Sequence, residues 1–129
     1  MKDILVPISP GELIDKITIL RIKSLRMRNP HALTHVRHEL ELLERTFRDC
    51  GCAARTPAAE EQALQRINER LWDIEERIRA KEDAASFDAE FIELARGVYL
   101  ANDERAAIKR RINLHLGSSL VEEKSYRNG

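Results

Sequence analysis

Apolar residues recur at three- and four-residue steps through four stretches of the chain, the spacing of helices that each bury one face. The first stretch opens at Ser9-Pro10-Gly11-Glu12. Ser9 suits the N-cap, Pro10 the first helical position, and Glu12 completes a capping box, with Ile8 and Leu13 placed to staple the entry. The helix is expected to run to about Arg28, where Asn29-Pro30 stops it. Leu13, Ile17, Leu20 and Met27 form its main stripe, and Ile14 and Leu25 widen it. Ile19 and Ile22 fall on the far side, so this helix is central, or it also faces another subunit.

The second segment, roughly His31 to Cys50, places Val36, Leu40, Leu43 and Phe47 on one face, with Gly51 as C-cap. Cys52 to Arg55 reads as a short loop. Thr56-Pro57 opens a third segment that runs to about Asp83, with Leu64, Ile67, Leu71, Ile74 and Ile78 at coiled-coil-like spacing. After Ala84-Ala85-Ser86 comes the fourth segment, Phe87 to Leu116, ended by Gly117-Ser118-Ser119. A connection that short makes the third and fourth segments an antiparallel pair. The expectation is a single all-α domain over residues 1–129. Its four helices comprise a long hairpin of the third and fourth segments packed on the first and second, the first being the most buried. Short extended segments flank the bundle, and Leu120-Val121 is placed to pair with Ile4-Leu5-Val6.

The fourth segment changes chemistry halfway along. Phe91, Leu94, Ala95, Val98 and Tyr99 share an ordinary core-facing stripe. Continued, the same stripe reads Asn102, Arg105, Ala106, Lys109, Ile112, Asn113 and Leu116. Burying amides and cations unpaired costs several kcal/mol each, so they require polar partners, a ligand or water. On the third segment Asn68, Glu75 and Glu82 lie seven residues apart at the edge of the apolar stripe, with Trp72 and Arg79 just outside it.

Three readings fit this pattern. Glu75 or Glu82 neutralises Arg105 and Lys109 in an internal ion-pair lattice. Alternatively, Arg105 and Lys109 hold an anion that Asn102 and Asn113 orient. In the third reading the stripe is a surface for a protein partner. On the first segment, Asp15 and Lys16 interrupt an apolar run. They read as charge on that helix's polar side, Glu12 and Lys16 forming an i,i+4 pair, or else Asp15 reaches Arg105.

Composition narrows the function classes. With 22 basic and 22 acidic residues the formal net charge is zero, which disfavours a general nucleic-acid or membrane-surface binder. The apolar run at Ile4-Leu5-Val6 is too short for a signal peptide and Pro7 cuts it. No stretch approaches the ~20 apolar residues of a membrane span. Cys50 and Cys52, one residue apart, suit a reducing compartment, so a cytoplasmic location is expected. His31, His35 and His38 share one helical face, but it lies opposite the apolar stripe and Cys50 and Cys52 are too distant to complete a zinc sphere, so it reads as solvated. Ser118, Ser119, Ser125 and His115 lack the partners of a nucleophile or a base. No metal or cofactor is expected.

Pro7 to Leu20 (PISPGELIDKITIL) resembles the opening of a small uncharacterised bacterial protein family. Similar blocks follow at Leu71-Trp72-Asp73-Ile74-Glu75, at Tyr99 through Asn113, and at Glu122-Glu123-Lys124-Ser125-Tyr126. The resemblance implies no activity, and it extends to an encoding context near surface-glycan glycosyltransferases. It includes the polar stripe and so adds weight to a shared surface there.

The sequence therefore points to a non-catalytic helical protein that binds a protein partner or an anionic ligand through the seam between the third and fourth segments. Its site residues are Asn102, Arg105, Lys109, Asn113, Glu75, Trp72, Arg79, Asp15 and Lys16. The alternative is an enzyme on a phosphorylated or nucleotide-sugar-like substrate in surface-glycan metabolism, with Glu75 or Asp15 as acid–base. A homodimer through Ile19 and Ile22 is a further expectation, with the tail (Leu120, Val121 and Tyr126) the competing cover for those two residues.

Overall fold

A computed structural model describes residues 1–123. It contains five helices: α1 (Pro10–Arg26), α2 (Pro30–Asp49), the single turn α3 (Cys52–Arg55), α4 (Ala58–Asp83) and α5 (Ala89–Leu116). The starts of α1, α2 and α5 follow capping chemistry, whereas α4 begins after Pro57 with no side-chain cap, Thr56 Oγ1 donating instead to Cys52 O at 2.8 Å. Ser9 Oγ accepts from Glu12 N at 3.1 Å, and Asn29 Oδ1 accepts from His31 N at 2.9 Å and Ala32 N at 3.1 Å. Asp88 Oδ1 accepts from Phe91 N at 3.0 Å, which starts α5 two residues after the expected Phe87. The expected loop at Cys52–Arg55 is instead a helical turn, because Gly51 at φ 81° reverses the chain and Thr56 N returns to Cys52 O at 2.9 Å.

Ion pairs between α4 and α5 step in opposite directions along the two helices. Glu60 meets Arg111 at 3.0 Å, Arg70 meets Glu104 at 4.0 Å, and Arg77 meets Glu90 at 2.7 Å, so the two run antiparallel. Their turn places Ala85 at φ 51°, and Lys81 reaches Asp88 at 2.9 Å across it. Helix α1 packs on α2, α4 and α5, and its Leu13, Ile14, Ile17, Leu20 and Ile22 are all buried. Leu13, Ile14 and Ile17 enter a core that contains Leu64, Ile67, Leu71, Ile108, Ile112 and Leu116, with Phe47 arriving from α2.

Three expectations are overturned here. Leu25 is 84% exposed, whereas Ile22, assigned to the far side, is buried and Ile19 is half-buried. The side of α1 carrying Ile19 and Ile22 leans toward α4 and α5. Ala95 and Tyr99 are exposed, although their stripe suggested a core face, since the sequence stripe does not reveal where covering helices end. The third concerns the termini. Among the described residues there is no strand, and Ile4, Leu5 and Val6 lie exposed. Beyond Gly117 the chain turns on Ser118, whose Oγ donates to Leu120 O at 2.7 Å. Glu122 and Glu123 then fasten the segment along α5. Tyr126 lies outside the described residues. No helix is long and apolar enough to cross a membrane among them.

Candidate functional site

The first turn of α1 seats directly on α5. A Cβ built on Gly11 would stand 2.7 Å from the Lys109 carbonyl oxygen and 2.9 Å from Asn113 Oδ1, so only glycine allows this approach. Gly11 N–H donates to Asn113 Oδ1 at 2.8 Å, and Asn113 is 1% exposed. That contact satisfies one of the four donors that a helix N-terminus leaves without intrahelical partners. Asn113 is thus placed as a clamp on α1, away from any opening to solvent.

Antiparallel packing then brings acids of α1 against cations of α5, both spaced by about one turn. Lys109 Nζ donates to Glu12 Oε2 at 2.7 Å and to Glu122 Oε2 at 2.8 Å, and lies 3.9 Å from Asp15 Oδ2. Arg105 Nε stands 3.5 Å from Asp15 Oδ1. That oxygen also accepts from Asn68 Nδ2 at 2.9 Å, while the same amide donates to Thr18 Oγ1 at 2.8 Å. Burial pulls the Lys109 ammonium downward, but hydrogen bonds to Glu12 and Glu122 outweigh it and hold the pKa above its ordinary value.

The acids come from α1 and the C-terminal segment rather than from the third sequence segment. Glu75 lies 4.0 Å from Arg79 on its own helix, and Glu82 is exposed. The surface reading of Asp15 fails, because Asp15 is 2% exposed. Lys16 is exposed and sits 3.8 Å from Glu12.

Beside this network opens a groove of about 640 Å³, bounded by α1, α4 and α5. Asn68, Leu71, Trp72, Glu75, Glu76 and Arg79 give it one face of α4; Ile19, Ile22 and Lys23 line it from α1, and Asn102 and Arg105 from α5. Its acids serve its own donors: Trp72 Nε1 donates to Glu76 Oε1 at 2.8 Å, and Glu75 faces Arg79. Lys23 and Asn102 have no polar partner among the described residues. Arg105 turns its Nε to Asp15 while its side chain remains 31% exposed. The groove therefore presents unmatched donors around an apolar, tryptophan-lined floor.

Of the expected site residues, the groove gathers Trp72, Glu75, Arg79, Asn102 and Arg105, with Asp15 behind Arg105. Lys109, Asn113 and Lys16 lie outside it. Sequence reasoning missed Lys23, Glu76, Leu71 and the role of Ile19 and Ile22. The register of residues 68, 71, 72, 75, 76 and 79, one face of a helix, was the signal that could have found the α4 side.

His31, His35 and His38 are exposed, with the His31 and His35 rings 4.9 Å apart edge to face. Among the described residues no His, Cys, Asp or Glu side chains gather as a metal-holding group. Cys50 and Cys52 are free thiols, and burial with hydrogen bonding to Cys50 pushes the Cys52 thiol up to about 11.

No curated protein and no solved structure matches the chain. A family model does, over residues 4–129, and by that match the chain belongs to a family of unknown function, DUF6165.

Proposed function

We propose that this is a non-catalytic binding protein whose α1–α4–α5 groove receives an apolar group together with an anionic one. The observation that carries the reading is the mismatch inside the groove. Its two acids are engaged by Arg79 and Trp72, whereas Lys23 and Asn102 have no side-chain partner among the described residues and Arg105 keeps an exposed part. A volume of about 640 Å³ falls in the range of small-ligand clefts and of pockets for anchoring side chains. Asp15 behind Arg105 already offsets one positive charge, which favours a single carboxylate-type charge over a dianion.

The enzyme alternative has less support. An acid–base catalyst must reach a reacting atom in an open pocket. Asp15 is buried and held by Asn68 and Arg105, and the groove's acids are engaged by its own donors. Lys109, the second expected anion holder, is surrounded by three carboxylates.

Calorimetry with 4-phenylbutanoate tests the reading against two controls, 4-phenylbutanol and acetate. The carboxylate with its ring should bind, each control should bind at least about tenfold more weakly, and Asn102→Ala should weaken the carboxylate alone. Equal binding of the alcohol and the carboxylate, or no binding of either, would sink it.

A further inference from the structure

The groove runs along one face of α4. Its α4 side consists of residues 68, 71, 72, 75, 76 and 79, a stripe with helical periodicity that extends about 16 Å, or three turns, at the usual rise per residue. Helix α1 borders one side and α5 the other, and no residue of α2 lines the space. Among the described residues, the mutually packed helices α1, α4 and α5 thus leave open a lane three turns long on α4, bordered by about one turn each of α1 (residues 19–23) and α5 (residues 102–105). Small-molecule sites need no such length or direction, whereas an amphipathic helix presents anchors at i, i+3, i+4 and i+7 to fill one.

Two chemical features of the lane specify its occupant further. Trp72 stands among Ile19, Ile22 and Leu71, the combination of aromatic and aliphatic surface that anchors protein interfaces. Lys23 on the α1 side has no side-chain partner among the described residues, whereas Arg105 on the α5 side is paired with Asp15, and Glu75 and Glu76 of α4 are engaged by Arg79 and Trp72. A helix lying in the lane meets Lys23 and Arg105 with whatever side chains flank its apolar stripe. An acidic residue there would complete Lys23 and reach the exposed part of Arg105.

Resting on the groove reading above, we infer that this protein is a helix receptor: the α1–α4–α5 lane takes one amphipathic, acidic-flanked α-helix of a partner protein as the fourth member of the bundle. Apolar side chains at i, i+3 or i+4, and i+7 pack on Trp72, Leu71 and Ile22. A glutamate or aspartate beside them pairs with Lys23 or Arg105.

A display selection from fully randomised peptides of about 18 residues, long enough to cover three turns with margins, tests this on the full-length chain. The inference expects enriched sequences with helical apolar periodicity and acidic flanks. Their affinity should fall at least about tenfold in Trp72→Ala. In Lys23→Glu it should also fall, and be restored when the flanking acid of the peptide is changed to lysine. Enrichment of extended or basic sequences, or helical binders indifferent to Lys23→Glu, would overturn it. So would a concentration-dependent dimer in sedimentation that Trp72→Ala abolishes, since the occupant would then be a second copy. If 4-phenylbutanoate binds but no helical peptide is enriched, the lane is a small-molecule cleft; the helix inference fails and the groove reading stands. If neither binds, both fall.

Discussion

Replacing Gly11 with alanine perturbs the joint that positions the site, at a cost set by the close approach of α1 to α5. The new Cβ would stand 2.7 Å from the Lys109 carbonyl oxygen, a backbone atom in the middle of α5 that cannot swing aside. Forcing a methyl group into a filled interface costs typically about 1–3 kcal/mol. As α1 lifts away, the 2.8 Å bond from Gly11 N to Asn113 Oδ1 lengthens, at a further ~0.5–1.5 kcal/mol. Against these, alanine restricts the unfolded chain and returns about 0.4–1 kcal/mol. The net destabilisation is roughly 2 kcal/mol, which for a chain of this size lowers the melting temperature by about 5–8 °C. Gly97 provides an internal control, because a Cβ there meets only the Cδ1 tip of Ile74, at 3.3 Å. Gly97→Ala should be neutral or stabilising by up to about 1 kcal/mol, since mid-helix glycine is unfavourable. Thermal and urea unfolding of both variants measures the contrast. A Gly11→Ala protein as stable as the parent would refute the close seating of α1 on α5.

Other consequences concern the charged network and the turns. Asp15→Ala removes the buried carboxylate that accepts from Asn68 and pairs with Arg105 and Lys109 and should cost about 3 kcal/mol in urea unfolding; an unchanged midpoint would mean the network is solvated. Because the Lys109 pKa is raised on folding, its contribution is fully present below the ordinary lysine value of 10.5 and is lost as pH climbs through the folded value. The stability difference between the parent and Lys109→Met should therefore be flat from pH 7 to 9 and shrink above about 10.5, and a difference that shrinks toward acid below pH 9 instead would contradict the assignment. Ala85 sits in the left-handed region at φ 51°, so Ala85→Gly should raise stability by up to about 1 kcal/mol, with a loss on thermal unfolding arguing against that turn geometry.

How far the sequence carried the structure depends on the element. The cap at Ser9 and the stops at Asn29-Pro30 and Gly117 are local chemistry, readable because each acts within four residues of itself, although Asn29 also caps α2. The polar half of the α5 stripe was equally readable, since the stripe carries Asn102, Arg105, Lys109 and Asn113 inward regardless of what they meet. Their partners were not. Asp15 and Glu12 lie about 90 residues upstream, and their choice over Glu75 and Glu82 depends on how α1 is seated by the Gly11–Asn113 contact, which no periodicity records. The groove was half legible: Trp72, Glu75 and Arg79 lie on one face of α4. Ile19 and Ile22, however, look like stray apolar residues until the lean of α1 toward α4 and α5 is known. Tyr99 and Ala95 misled for the same reason, since a stripe reports that a face is apolar and not whether another helix reaches that far.

Trp72 is the single tryptophan of the chain, so its indole N–H gives one isolated NMR resonance from within the groove. Titrating the labelled protein with 4-phenylbutanoate while following that signal reads the groove itself. A saturable shift of the Trp72 resonance is expected, accompanied by the Asn102 side-chain amide and weakened in Asn102→Ala. Saturable shifts confined to α2 or to the His31–His38 face, with Trp72 unmoved, would contradict the groove reading.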